Sequence, residues 1–208
     1  MKAVVIISVL VVLSGLGRTQ TQQEIQDYFN QVAYGSDAIP GENANKITKW
    51  DKDIKIFVDG NYTSQDLITI NNLLTELNPL IAPLKMTIVK NKSESNSIVY
   101  FGDFKTFNSR HLDNSNAYVN CNGYCLIYGF DENTIITNTK IFIRTGTTAL
   151  DKKHAIIEEI TQSLGLANDS WTYEDSMFYE GYTTTQQLSK IDKEVIKMLY
   201  DDSYAIRY

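Results

Sequence analysis

Glu158-Glu159-Ile160-Thr161-Gln162-Ser163-Leu164-Gly165-Leu166-Ala167-Asn168-Asp169 is the stretch on which the fold turns. At about 100° per residue along an α-helix, Ile156, Ile157, Ile160 and Leu164 gather on one side. His154, Glu158, Gln162 and Gly165 gather on the other. The apolar stripe must be buried, here against a sheet, so the polar stripe is turned toward a cleft. Gly165 stands where a helix ends in a left-handed residue, and Asn168-Asp169-Ser170 follows in the loop. The spacing predicts a helix over 151–166.

Outward from this helix, the pattern alternates between strand and helix periods. Residues 50–58 read as a strand, with Ile54, Ile56 and Val58 at every second position. Asp59-Gly60 turns the chain. Thr63 and Ser64 offer an N-cap with Asp66 in the first turn, and Leu67, Ile70, Leu73, Leu74 and Leu77 follow at helical spacing until Pro79 and Pro83. Residues 86–89, 97–101 and 135–144 read as further strands, 102–116 as loop, 167–183 as irregular and 184–200 as a final helix. Upstream, 24–33 forms a short amphipathic helix with Ile25, Tyr28, Phe29 and Val32 on one stripe. The expected class is α+β: a mixed, twisted sheet packed on two long helices plus a C-terminal helix.

Of 208 residues, 43% are hydrophobic and 21% charged, ordinary values for one globular domain with a sizeable core. The net charge of −6, without basic clusters, argues against nucleic acid as a partner. Residues 1–17 read as a signal peptide: Lys2, an apolar run from Ala3 to Leu13, and small Gly15 and Gly17 before the cleavage point. The run is shorter than the ~20 residues of a spanning helix. The expectation is therefore an exported protein, secreted or periplasmic, with no membrane anchor after cleavage. Residues 18–48 form an N-terminal extension with the short helix, and 49–208 the main domain. In an exported chain, the only cysteines, Cys121 and Cys125, are expected to pair across a hairpin at Asn122-Gly123, with arms at 117–120 and 126–130.

The helix motif also resembles the metzincin signature H-E-x-x-H-x-x-G-x-x-H with its later Met-turn. Glu158 stands at the first ligand position, Glu159 at the general base, Gln162 at the second ligand, Gly165 at the glycine and Asn168 at the third ligand. Met177, in Asp175-Ser176-Met177-Phe178-Tyr179, resembles the Met-turn. Leu188-Ser189-Lys190-Ile191-Asp192 and Leu199-Tyr200 resemble the ends of the matrixin C-terminal helix. The pattern from Glu158 to Ser170, the Leu199-Tyr200 ending and the Trp50 strand are similar to those of a family of exported bacterial proteins with a domain of unknown function. Many of its members are lipoproteins, whereas no lipid-attachment cysteine follows the apolar run here. The resemblance implies a zincin-like fold and a degenerate zinc site, and no assigned activity.

Catalytic zinc takes three donors of His, Cys, Asp or Glu type and keeps one position open. Gln162 and Asn168 offer only carbonyl oxygens, which are weak zinc ligands, and His111 and His154 are the only histidines. The expectation is thus no cofactor, and a polar set of Glu158, Glu159, Gln162, Asn168 and Asp169. That set either lines a cleft binding a peptide or protein without cutting it or serves structurally, its groups hydrogen-bonding one another and the following loop in place of a lost ion. The alternative is an active metal-dependent peptidase with His154, Glu158 and Asp169 holding zinc and Glu159 as base. Adjacent Glu158 and Glu159 point about 100° apart, unlike the opposed carboxyls of a glycosidase. No G-x-S-x-G, G-x-G-x-x-G or Walker-type loop is present.

Overall fold

A computed structural model describes residues 20–34, 46–111, 121–130 and 135–201. Strands β1 (Ile54–Gly60), β2 (Met86–Ile88), β3 (Ser97–Gly102), β4 (Gly123–Phe130) and β5 (Ile136–Arg144) form one five-stranded sheet in the order β2-β1-β3-β5-β4. All pairs are parallel except β4 with β5, so β4 is an antiparallel terminal strand. In β1, Ile54, Ile56 and Val58 are buried and Lys55 is exposed, as the alternation requires.

The sheet is covered on both faces. Val99, Phe101, Ile141 and Ile143 join the main core, whereas the intervening Tyr100 and Phe142 join Phe104 and Phe107 in a second cluster. That cluster is built by α3 (Phe104–His111), which lies where the sequence reads as loop. Asp103 starts the helix by accepting from the Thr106 amide at 2.9 Å.

Four further helices are each entered through a hydroxyl cap. Thr21 with Glu24, Thr63 with Asp66, and Ser189 with Asp192 form reciprocal capping boxes for α1 (Gln22–Ala33), α2 (Ser64–Leu77) and α5 (Lys190–Tyr200). Thr148 caps α4 (Ala149–Gln162), the motif helix. The Ser189 box explains why α5 starts at Lys190 and not near 184: once its cap is satisfied, the preceding residues have no helical partner to gain. Tyr28, Phe29, Val32 and Ala33 of α1 are buried in the same core as α2, α4 and α5.

Helix α4 lies against β4 and β5, with Ala155, Ile156, Ile157 and Ile160 buried. Its C-terminal carbonyls would be orphaned in the core. Trp50 Nε1 donates to the Ser163 carbonyl at 2.9 Å, and the Tyr200 hydroxyl donates to the Leu164 carbonyl at 2.8 Å. Strand, helix, strands, motif helix, loop and final helix thus follow in the order that the sequence reading expects. No helix among the described residues is long and apolar enough to cross a membrane.

Asn122 lies at a bend and Gly123 begins β4, which pairs antiparallel with β5. No disulfide joins Cys121 to Cys125, and Cys125 is buried inside the strand. The expected 117–120 arm, the 1–17 signal segment and the chain end beyond 201 lie outside the described residues.

Candidate functional site

A cleft of about 380 Å³ opens between three elements: the start of β4, the outward face of α4, and the loop through Tyr179–Thr183. Helix α4 supplies His154, Glu158, Glu159 and Gln162, because positions four apart share a face and Glu159 sits beside them. Asp169 closes one end, and Tyr179, Glu180 and Tyr182 form the opposite wall.

Glu159 is the most enclosed of the cleft acids. It is 6% exposed, and a Cβ at Gly123 would collide with its carboxyl. The absence of a side chain at Gly123 is therefore what lets the carboxyl lie against the strand backbone. Burial first, then the charges of Glu158 and Asp169, holds its proton well above the usual carboxylate range. Glu158 is half-buried, and its Oε2 lies 3.5 Å from His154 Nε2. Burial, reinforced by Asp169 and Glu180, pushes its carboxyl up to about 8. His154 has its Nδ1 2.8 Å from the Thr185 carbonyl, which holds the ring at the cleft rim.

The other motif residues divide into two groups. Gln162 Nε2 donates to Asp169 Oδ1 at 2.8 Å, so both belong to the cleft but are tied to each other. Asn168, expected in the cleft, faces away. Its Nδ2 donates to the Gln31 carbonyl at 2.7 Å and its amide to the Val32 carbonyl, so it fastens the post-helix loop to the C-terminal end of α1. The reason is the tight turn at Gly165, φ +116°, which swings the chain toward α1. The Gln31 Oε1 completes that clamp by accepting from Ser170 and Thr172, both at 2.6 Å. Met177 is fully buried beneath the loop and does not line the cleft.

Met177 is held by a residue that sequence reading treats only as a helix start. Asp192 accepts from Ser176 Oγ at 2.5 Å, the Met177 amide at 3.0 Å and the Ser189 amide at 2.8 Å. Ser176 in turn accepts from the Tyr28 hydroxyl at 2.6 Å. The wall residues Asn122, Gly123, Tyr179, Glu180 and Tyr182 are also missing from the motif, because they reach the cleft from distant parts of the chain. The thiols there are poor nucleophiles: burial pushes Cys121 up to about 11 and Cys125 well above its ordinary value.

The model of the family described as "Protein of unknown function (DUF2927)" matches residues 22–205. The chain belongs to the DUF2927 family. A solved structure of myroilysin aligns over 74% of this chain and 95% of that chain, with 14% identity and a TM-score of 0.42. No curated protein matches the chain in sequence.

The acid pair gives a pH dependence. Both carboxyls titrate higher in the fold than in the unfolded chain, so the native state keeps protons that the unfolded state releases. Their stabilising contribution is present below about 4.5 and is lost as pH rises toward about 8 for Glu158, with Glu159 shifted in the same direction. Each retained proton contributes a slope of about 1.4 kcal/mol per pH unit. Thermal melts from pH 5 to 8 should show Tm falling in the wild type. The decline should be shallower in the Glu158→Gln/Glu159→Gln variant; identical slopes would contradict the assignment.

Proposed function

We infer that this chain is an exported binding module whose cleft holds an extended segment of a partner protein without cutting it. One observation carries the reading: the ligand positions of the zinc-peptidase frame do not converge. Gln162 is engaged by Asp169 and Asn168 by α1, leaving Glu158 and Glu159 in the cleft. A peptidase needs three donors around zinc and a metal-polarised water for its base. Among the described residues, no three His, Cys, Asp or Glu side chains gather as a metal would require. The substitute set His154, Glu158 and Asp169 has its histidine ring at Thr185 and its aspartate at Gln162.

The cleft runs beside the terminal strand β4, and its floor includes Gly123–Cys125. Extended peptides add to sheet edges through main-chain hydrogen bonds, with side-chain pockets giving selectivity. Export is supported by the charged start at Lys2 and the short apolar run that follows it.

The test is equilibrium capture of a randomised octapeptide pool by the mature chain, read by mass spectrometry before and after overnight incubation. A selected subset should be retained at micromolar affinity and recovered intact. Accumulating cleavage products would contradict the reading.

A further inference from the structure

The charge of the cleft is one-sided. Among the described residues that line it, five carry carboxyl groups, Asp151, Glu158, Glu159, Asp169 and Glu180, and none is lysine or arginine. His154 is the one lining residue that can become cationic. Arg144 approaches the rim, where its Nε donates to the Cys121 carbonyl at 2.6 Å, but it is not among the described residues that line the cleft. Three of the acids have described polar partners: Asp169 holds Gln162, Asp151 accepts from the Tyr182 hydroxyl at 3.1 Å, and Glu158 faces His154.

Glu159 differs. Its residue is more than nine-tenths buried, its carboxyl lies on the cleft wall, and no described residue gives that carboxyl a hydrogen bond. Its oxygens are not among the polar atoms sealed from solvent, so the carboxyl is open to the cleft and available to a partner that arrives from outside. Tyrosine rings flank the same space, Tyr124 on the strand side and Tyr179 and Tyr182 on the loop side. Burial and mutual repulsion keep protons on Glu158 and Glu159 in the free cleft; a cation entering among them favours the ionised form, and the tyrosine faces suit the same organic cation.

We propose that the cleft selects a cationic side chain, lysine or arginine, from the bound segment, and that its ammonium or guanidinium group meets Glu159 and Glu158. The proposal rests on the peptide-binding reading above and names the feature that the cleft recognises. A metal ion fits the geometry less well, because the acids do not gather around one point. An alkyl cation on a flexible stem reaches between the walls and hydrogen-bonds to more than one carboxyl.

The test uses four octapeptide pools, randomised except for a central lysine, arginine, norleucine or glutamate, captured by the immobilised full chain. Lysine and arginine pools should be retained at least ten-fold above norleucine and further above glutamate. In the Glu158→Gln/Glu159→Gln variant, checked by its cooperative melt, that preference should fall to about one. Equal retention of lysine and norleucine pools overturns the proposal and leaves the peptide reading standing. Failure of every pool overturns both. Retention of free spermidine with no pool retained likewise overturns the proposal, and assigns the acids to a free polyamine. Displacement of the lysine pool by stoichiometric zinc assigns the carboxyls to a metal and overturns the proposal.

Discussion

Asp192→Ala is expected to lower the stability of the fold by about 3 kcal/mol or more, seen as a Tm drop of roughly 6–12 °C. Asp192 is fully buried, yet it ties three things together. It closes the capping box of α5, accepts the Met177 amide, and takes the Ser176 hydroxyl that also serves Tyr28 of α1. Alanine leaves the buried Met177 amide and the half-buried Ser189 amide without their acceptor, and a fully buried orphan costs about 1–3 kcal/mol. Asparagine keeps the shape but replaces one accepting oxygen by a donor facing other donors, so Asp192→Asn should fall between. Urea denaturation decides it. A loss below about 1 kcal/mol for alanine would show that the loop is held by its apolar contacts alone.

Gly165→Ala should cost a similar amount, about 3 kcal/mol, through two separate effects. The residue sits at φ +116°, a conformation side chains rarely adopt, and an added Cβ would collide with the Thr48 carbonyl. Thr48 cannot retreat easily, since the adjacent Lys49 bridges Ile135 and Trp50 is hydrogen-bonded to Ser163. The same turn directs Asn168 onto α1, so the variant should also loosen the loop that forms the far wall of the cleft. Faster amide exchange across 167–183 is the local signature; a Tm within 2 °C of wild type would contradict the account of Gly165.

The elements that sequence reading finds are those with a strong period or a cap. Ile54, Ile56 and Val58 give β1, and Thr63 with Asp66 gives the start of α2, because alternation and capping are local physics. Helix α3 escapes notice because its stripe of Phe104, Phe107 and His111 is only eight residues long and lies among polar neighbours. The Asn122-Gly123 pair does not reveal the partner of the strand it starts: Gly123–Phe130 pairs with β5, a contact from later in the chain that no local pattern shows. For the site, the placement of Glu158, Glu159 and Gln162 is legible from helical geometry. The fate of Asn168 is not, since it depends on where α1 packs, and neither is the Asp192 anchor, which links residues across the fold. Tyr179, Glu180 and Tyr182 join the site through the same loop path, for which no local pattern stands.

The central claim is that the motif helix carries a binding cleft and not a zinc-peptidase centre. A thermal melt of the mature chain with increasing zinc, run beside a cleavage assay on the same sample, tests it most directly. A ligand that binds only the folded state raises Tm with its concentration, by about 2.7 kcal/mol of stability at a hundred times Kd. The account predicts no zinc-dependent rise in Tm up to tens of micromolar, and intact peptide with or without chelator. A steep rise in Tm, together with chelator-sensitive cleavage abolished by Glu159→Ala, would contradict it.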